Sequence, residues 1–205
     1  MKQPNMQSFD LLLCSGNGKM SKRIRWAQKV MGYSEAEANI THLALATFGD
    51  DWVFESTTLN EWCHTRGVQV GEFYKWKHHY QGKIWLRHIE VKRTPEIYLS
   101  GFDKSNSLLG RPYESGIPGY LELFRCILPD WMPTKRTWEL HCTEAVGEVL
   151  QEIGWLKKFR NVGKETDWGY QREQVRLNKL PPAKWWKQID SLMTVRVGEP
   201  IQIKG

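Results

Sequence analysis

A cysteine stands where a helix should begin, in His141-Cys142-Thr143-Glu144. Val146, Val149, Leu150 and Ile153 follow at helical spacing, and Gly154 closes the pattern. A thiol in the first turn of a helix lies at the positive end of the helix dipole, among backbone N–H groups with no partner inside the helix. Both features favour the thiolate, the form that attacks carbonyl carbon. Such a nucleophile needs a base. His42 opens the apolar run Leu43-Ala44-Leu45-Ala46, and Glu55 lies in Trp52-Val53-Phe54-Glu55-Ser56. The chemistry these residue types support is attack on carbonyl carbon, with Cys142 as nucleophile, His42 as its base, and Glu55 orienting the imidazole. His141, beside the nucleophile, reads as a capping or pocket residue rather than a second base. Taken singly, each residue has a plainer reading: a buried cysteine, a satisfied core histidine, a surface glutamate.

Strand parity tests the pairing of His42 with Glu55. The segments 40–47 and 52–57 flank Phe48-Gly49-Asp50-Asp51, a hairpin loop. A two- or four-residue loop centred between Gly49 and Asp50 sets Ala44 opposite Glu55. Residues 42 and 44 share a strand face, so Glu55 becomes the diagonal neighbour of His42. A three-residue loop would turn Glu55 to the other face.

The elements that must carry these residues are legible in outline. Phe9 to Cys14 reads as a short buried strand, Ser15-Gly16-Asn17-Gly18 as a turn, and Ser21 to Met31 as a helix with Ile24, Ala27, Val30 and Met31 inward. Val68 to Phe73 and Lys83 to Val91 read as strands. The stretch Tyr74 to Tyr80 reads as a solvated loop, whose Lys75, Lys77, His78 and His79 interleave with aromatic residues in a way that also suits a polyanion. Gly110-Arg111-Pro112-Tyr113 is a rigid turn, Leu121 to Leu128 an apolar element, and Thr194 to Ile203 a terminal hairpin.

The chain has 205 residues, enough to bury a core in one domain with an extension. Its cysteines, at positions 14, 63, 126 and 142, form no CxxC pair, so a zinc ribbon and a thioredoxin motif are not indicated. No Gly-Lys-Ser/Thr follows the early glycines, which argues against a phosphate loop. No metal or cofactor is expected, since His78 and His79 find no third ligand. Met1 to Asp10 lacks a signal-peptide pattern, and no run reaches the roughly 18 apolar residues that span a bilayer. A cytoplasmic or virion-associated protein without a membrane span is the expectation. The net charge of +6 and the eleven tryptophans leave nucleic acid, sugars and acidic polymers open as partners.

Gly110-Arg111-Pro112-Tyr113, followed by a cysteine opening an amphipathic helix, resembles the NlpC-type cell-wall peptidases of the papain-like class. The order here is His42, Glu55, then Cys142. That order is similar to the circularly permuted branch, with its YiiX-like bacterial proteins and lecithin–retinol acyltransferase relatives. Leu11-Leu12-Leu13-Cys14-Ser15-Gly16-Asn17-Gly18, Thr41-His42-Leu43-Ala44-Leu45 and Phe54-Glu55-Ser56-Thr57-Thr58 also fit it. The resemblance covers about residues 9–156. It implies an α+β fold, an antiparallel sheet packed against helices in permuted papain-like order, with a domain at 1–160 and an extension at 161–205 packed on it.

The resemblance further implies a Cys142–His42–Glu55 triad, Tyr113 lining the pocket, and the Cys142 backbone N–H donating to the oxyanion. Thr143 stands where the family often has Ser, and Glu114 where Asp is usual. The activity implied is hydrolysis of amide bonds, with peptidoglycan stem peptides as substrate. A thiol acyltransferase or lipid esterase, and a non-enzymatic virion or phage-tail component bound to other virion proteins, are the other readings.

Overall fold

Alternation of side chains along two central strands builds two apolar cores, one on each face of a sheet. The computed structural model describes residues 5–47, 51–57, 66–113, 141–157 and 181–205. Among them the strands are β1 (Leu11–Gly16), β2 (His42–Thr47), β3 (Trp52–Thr57), β4 (Gly67–Glu72), β5 (Gly82–Arg87) and β6 (Ile201–Lys204). They form one antiparallel sheet in the order β4-β3-β2-β1-β5-β6. The helices are α1 (Lys19–Val30), α2 (Glu35–Ala38), α3 (Phe73–His79), α4 (Pro95–Leu108), α5 (Cys142–Glu152), α6 (Pro182–Lys187) and α7 (Ile189–Leu192). The fold is α+β.

Leu11, Leu13, Leu43, Leu45 and Phe54 point to the first core, where they meet Ala145, Val146, Val149 and Leu150 of α5. Leu12, Cys14, Ala44, Ala46 and Val53 point to the second core and are covered by Phe73 and Trp76 of α3. Burying a large apolar side chain contributes about 1.5–3 kcal/mol, so the helix that fills each face is held there mainly by this burial. Trp185, Ile189, Leu192, Met193 and Val197 enter the first core from the C-terminal segment. Gln28, 1% exposed, joins that segment to α1 and α2. Its amide donates to the carbonyls of Ala38 and Ile40 and accepts from the Ala183 N–H.

The mouth of β1 is anchored by a buried carboxylate. Asp10 is fully buried and accepts from the backbone N–H groups of Gln7 and Ile89, from His88 Nδ1 at 2.8 Å and from Arg93 Nη2 at 2.6 Å. Four donors make its burial tolerable.

Several elements depart from the sequence reading. β1 runs on through Ser15 and Gly16, because these pair with Lys83 and Gly82 of β5 and so are strand rather than turn. On α1, Val30 is 56% exposed and Gln28 takes the inner place. Tyr74 to Tyr80 is not a loop, since residues 73–79 are helical. Phe73, Trp76 and Tyr80 fall on one face at helical spacing, a stripe that the basic residues between them disguise. α4 was not expected at all, although Thr94 accepts from the Ile97 N–H and Pro95 occupies the first turn, both start signals. The C-terminal segment forms no local hairpin: β6 pairs with β5, and Val197 bridges to Ile89. Leu121 to Leu128 lies outside the described residues.

Candidate active site

β2 and β3 pair in the register that parity anticipated. Ala44 lies opposite Glu55, which makes His42 the diagonal neighbour of Glu55 on the face of the second core. The small side chain of Ala44 leaves room between them. His42 Nε2 and Glu55 Oε2 are 2.7 Å apart, with the histidine side chain 13% exposed and the glutamate 2%. Glu55 is further fixed by two residues. Gln69, directly opposite on β4, donates from Nε2 to Oε1 at 2.9 Å. Trp76 of α3 donates from Nε1 to Oε2 at 3.0 Å.

Cys142 arrives from the other side of the sheet. Its helix packs on β2 and β3 through the first core, but its own position is the first residue of α5, at the end of β2 where His42 begins the strand. The Cys142 side chain hydrogen-bonds to His42, and its sulfur accepts the Leu43 backbone N–H. Because Nε2 of His42 is committed to Glu55, Nδ1 is the nitrogen left to serve the sulfur.

The electrostatics of this set select one thiol from two. Burial alone would lower His42, but hydrogen bonds to Cys142 and Glu55, together with their charges, overcome it and raise the imidazole from 6.5 to about 10. Burial alone would raise Cys142; the His42 bond and charge, the Leu43 N–H and the charge of His141 bring it below its ordinary value. The two groups titrate as a pair, the imidazole raised and the thiol lowered, which favours the thiolate–imidazolium form. Cys14 is the informative contrast. It is the β1 residue opposite His42 and is equally buried. Its thiol is pushed well up, first by burial and then by the charges of Glu55 and Cys142, and only a hydrogen bond from Tyr80 opposes this. Cys63 and Cys126 lie outside the described residues.

His141 is the N-cap residue of α5; its backbone N–H donates to Glu144 Oε2 at 2.8 Å. Glu148 pairs with Lys104 Nζ at 2.7 Å. Both acids near the thiol are therefore engaged with partners of their own. Tyr113 is buried and meets the His141 ring edge-on, with centroids 5.4 Å apart. The segment that carries it is stitched to β4: Val68 N–H donates to Arg111 O, and Gly110 N–H donates to Val68 O. Gly67, at φ 116°, permits this approach, because a Cβ there would stand 2.1 Å from Arg111 O. Thus His42, Glu55 and Cys142 come together, and Tyr113 and His141 sit against each other at the start of α5.

Sequence reasoning missed Trp76, Gln69, Tyr80 and Cys14. Gln69 was readable as the polar member of the alternating run Val68-Gln69-Val70. Trp76 was readable only once α3 was known to be a helix. Tyr80, which caps α3, lies parallel to the His42 ring at 6.4 Å between centroids.

The class defined so far is an α+β protein with a six-stranded antiparallel sheet and a buried thiol–imidazole–carboxylate cluster at its centre. No protein-family model matches the chain, and no curated protein matches it. Among solved structures, the chain is similar to the metalloprotein YiiX from Escherichia coli O157:H7. The match has 18% sequence identity and a TM-score of 0.50, and it covers 98% of this chain and 99% of that one. At this identity the likeness is one of fold. Among the described residues, no helix is long and apolar enough to cross a membrane.

Proposed function

We propose that this protein is a thiol hydrolase of permuted papain-like type that cleaves amide bonds by acyl transfer. The observation that carries the reading is the geometry at Cys142: it opens a helix, its side chain hydrogen-bonds to His42, and His42 Nε2 lies 2.7 Å from Glu55 Oε2. A cysteine that served only as packing would have no need of an imidazole, a carboxylate behind it and a backbone donor.

The Cys142 thiolate attacks the carbonyl carbon, and the carbonyl electron pair moves to oxygen. The Cys142 backbone N–H, free of intrahelical partners at the first helical position, is a donor for that oxyanion. His42 gives its proton to the leaving amine as the C–N bond breaks, leaving a thioester on Cys142. The neutral imidazole then takes a proton from water, the hydroxide adds to the thioester, and collapse releases the acid and restores the thiolate. Glu55 holds the ring through both transfers.

Peptidoglycan stem peptides are the substrate this reading favours. They offer amide bonds, and the basic excess of the chain is complementary to their carboxylates. The neighbour YiiX is a metalloprotein, but the donors of this cluster do not suit a metal. Glu55 accepts from His42, Trp76 and Gln69, and His42 is shared between Glu55 and Cys142. Among the described residues, no group of three or more His, Cys, Asp or Glu is arranged to hold an ion.

Incubation with purified cell-wall fragments tests the proposal. New amino termini should appear, and Cys142→Ser should abolish them while Tm stays nearly unchanged, because the swap is close to isosteric and the hydroxyl is far harder to ionise. Release undiminished in the serine variant would refute the role of Cys142. Acyl transfer from a lipid ester to an amine, without cell-wall cleavage, would reassign the same triad to an acyltransferase.

A further inference from the structure

From the geometry around Glu55 we infer that Trp76 is a positioning residue of the active site. It acts on Cys142 through Glu55 and His42. The inference rests on the triad reading above.

Glu55 Oε2 receives two N–H groups, from His42 Nε2 at 2.7 Å and from Trp76 Nε1 at 3.0 Å, while Oε1 receives Gln69. Gln69 and His42 hold one oxygen each across a terminal torsion whose intrinsic preference is broad. The indole N–H narrows it further, because it is a third donor that arrives from α3, off the sheet, and not from a neighbouring strand. Trp76 is 1% exposed, so its N–H has no water to turn to, and its bond to Glu55 is retained.

The indole is itself fixed. Phe73 lies 6.2 Å from it and Tyr80 5.3 Å, centroid to centroid, and Tyr80 in turn flanks His42. The row Phe73, Trp76, Tyr80, His42 thus passes from the helix into the site. Lys204 of β6 fastens the end of that helix by donating from Nζ to the carbonyls of Lys77, His78 and Tyr80. Positioning groups behind a catalytic carboxylate set its orientation, and a small misplacement there is costly in rate.

The test is Trp76→Phe, which removes the donor and keeps most of the packing. The probe is alkylation of Cys142 by iodoacetamide, followed against pH by peptide mass spectrometry and compared with His42→Ala. The expected result at pH 7 is a rate lower by between about threefold and tenfold, as for loss of one hydrogen bond of ordinary net strength, felt at the sulfur through Glu55 and His42. The acid limb of the profile should move up, and Trp76→Phe should add nothing further in a Glu55→Gln background. On a cleaved substrate, kcat should fall with KM little changed. An unmoved profile in Trp76→Phe beside a displaced one in His42→Ala overturns the role of Trp76 and leaves the triad standing. An unmoved profile in both overturns the triad, and the role of Trp76 with it. An additive effect in the Glu55→Gln background overturns action through Glu55. Where Trp76→Phe fails to fold, indole N–H resonances of the intact Trp76 protein decide the matter. One of them should move upfield on Glu55→Gln, and none moving overturns the bond.

Discussion

Replacing His42 with alanine isolates what the imidazole contributes to the Cys142 thiolate. In the variant the sulfur keeps the Leu43 N–H and the neighbouring His141, while burial still acts to raise it. A thiol returned to its ordinary value of 9.0 is about 1% ionised at pH 7. Beside an imidazolium that keeps its proton up to about 10, the wild-type sulfur lies below that ordinary value. Each pKa unit that the imidazole contributes is about a tenfold change in thiolate population while the thiol is mostly protonated. A more basic thiolate is a better nucleophile, with a Brønsted slope of about 0.4–0.5, which returns roughly threefold per unit. Iodoacetamide alkylation of Cys142 at pH 7 should thus slow by about threefold for each unit lost, and its pH profile should become that of an ordinary or raised thiol. Peptide mass spectrometry separates Cys142 from the other cysteines, and Cys14, buried and raised, should stay slow in both proteins. A rate within about twofold of wild type, with the profile unmoved, would refute the coupling on which the proposed chemistry depends.

Three further outcomes follow from the same structure. His42 rises on folding from 6.5 to about 10, so its share of stability is complete below pH 6.5 and is lost as pH rises through about 10. Cys142 is lowered from 9.0, so its share is complete above that value and is lost as pH falls. Above pH 9.0 the unfolded cysteine has given up its proton while the folded imidazolium keeps its own until about 10, so the pair's share of stability falls there. The Tm difference between wild type and a His42→Ala, Cys142→Ser double variant should shrink above pH 9.0; no decline there would mean the folded pair releases its proton as readily as the unfolded groups. Arg93→Met strips a charge partner from fully buried Asp10, and urea unfolding should show a loss of about 3–5 kcal/mol with Cys142 alkylation unchanged. A parallel loss of alkylation would tie that anchor to the site. Gly67→Ala places a Cβ against Arg111 O at a φ of 116°, and should cost about 1–3 kcal/mol by the same assay; a neutral result would show that the Gly110–Tyr113 segment yields easily.

Much of the site could be read locally. Cys142 at the first helical position follows from the spacing of Val146, Val149 and Leu150, and Gly154 ends that helix at a φ of 77°. His42 and Glu55 on one face follow from a period of two and an even loop. These are short-range rules, set by backbone geometry, and they survive whatever surrounds them. The tertiary structure decided the rest. Phe73, Trp76 and Tyr80 line up only when residues 73–79 are helical, and that helix is held by the second core and by Lys204, which lies far along the chain. Cys14 and Cys142 are the same side chain, equally buried; one lies against Tyr80 and the other against His42 and the Leu43 N–H. The sequence alone set Cys142 at a helix start and His42 beside Glu55. That the thiol reaches the imidazole, which thiol is lowered, and which indole holds the carboxylate depend on contacts between residues distant in sequence, whose electrostatic effect exists only after the chain has closed around them.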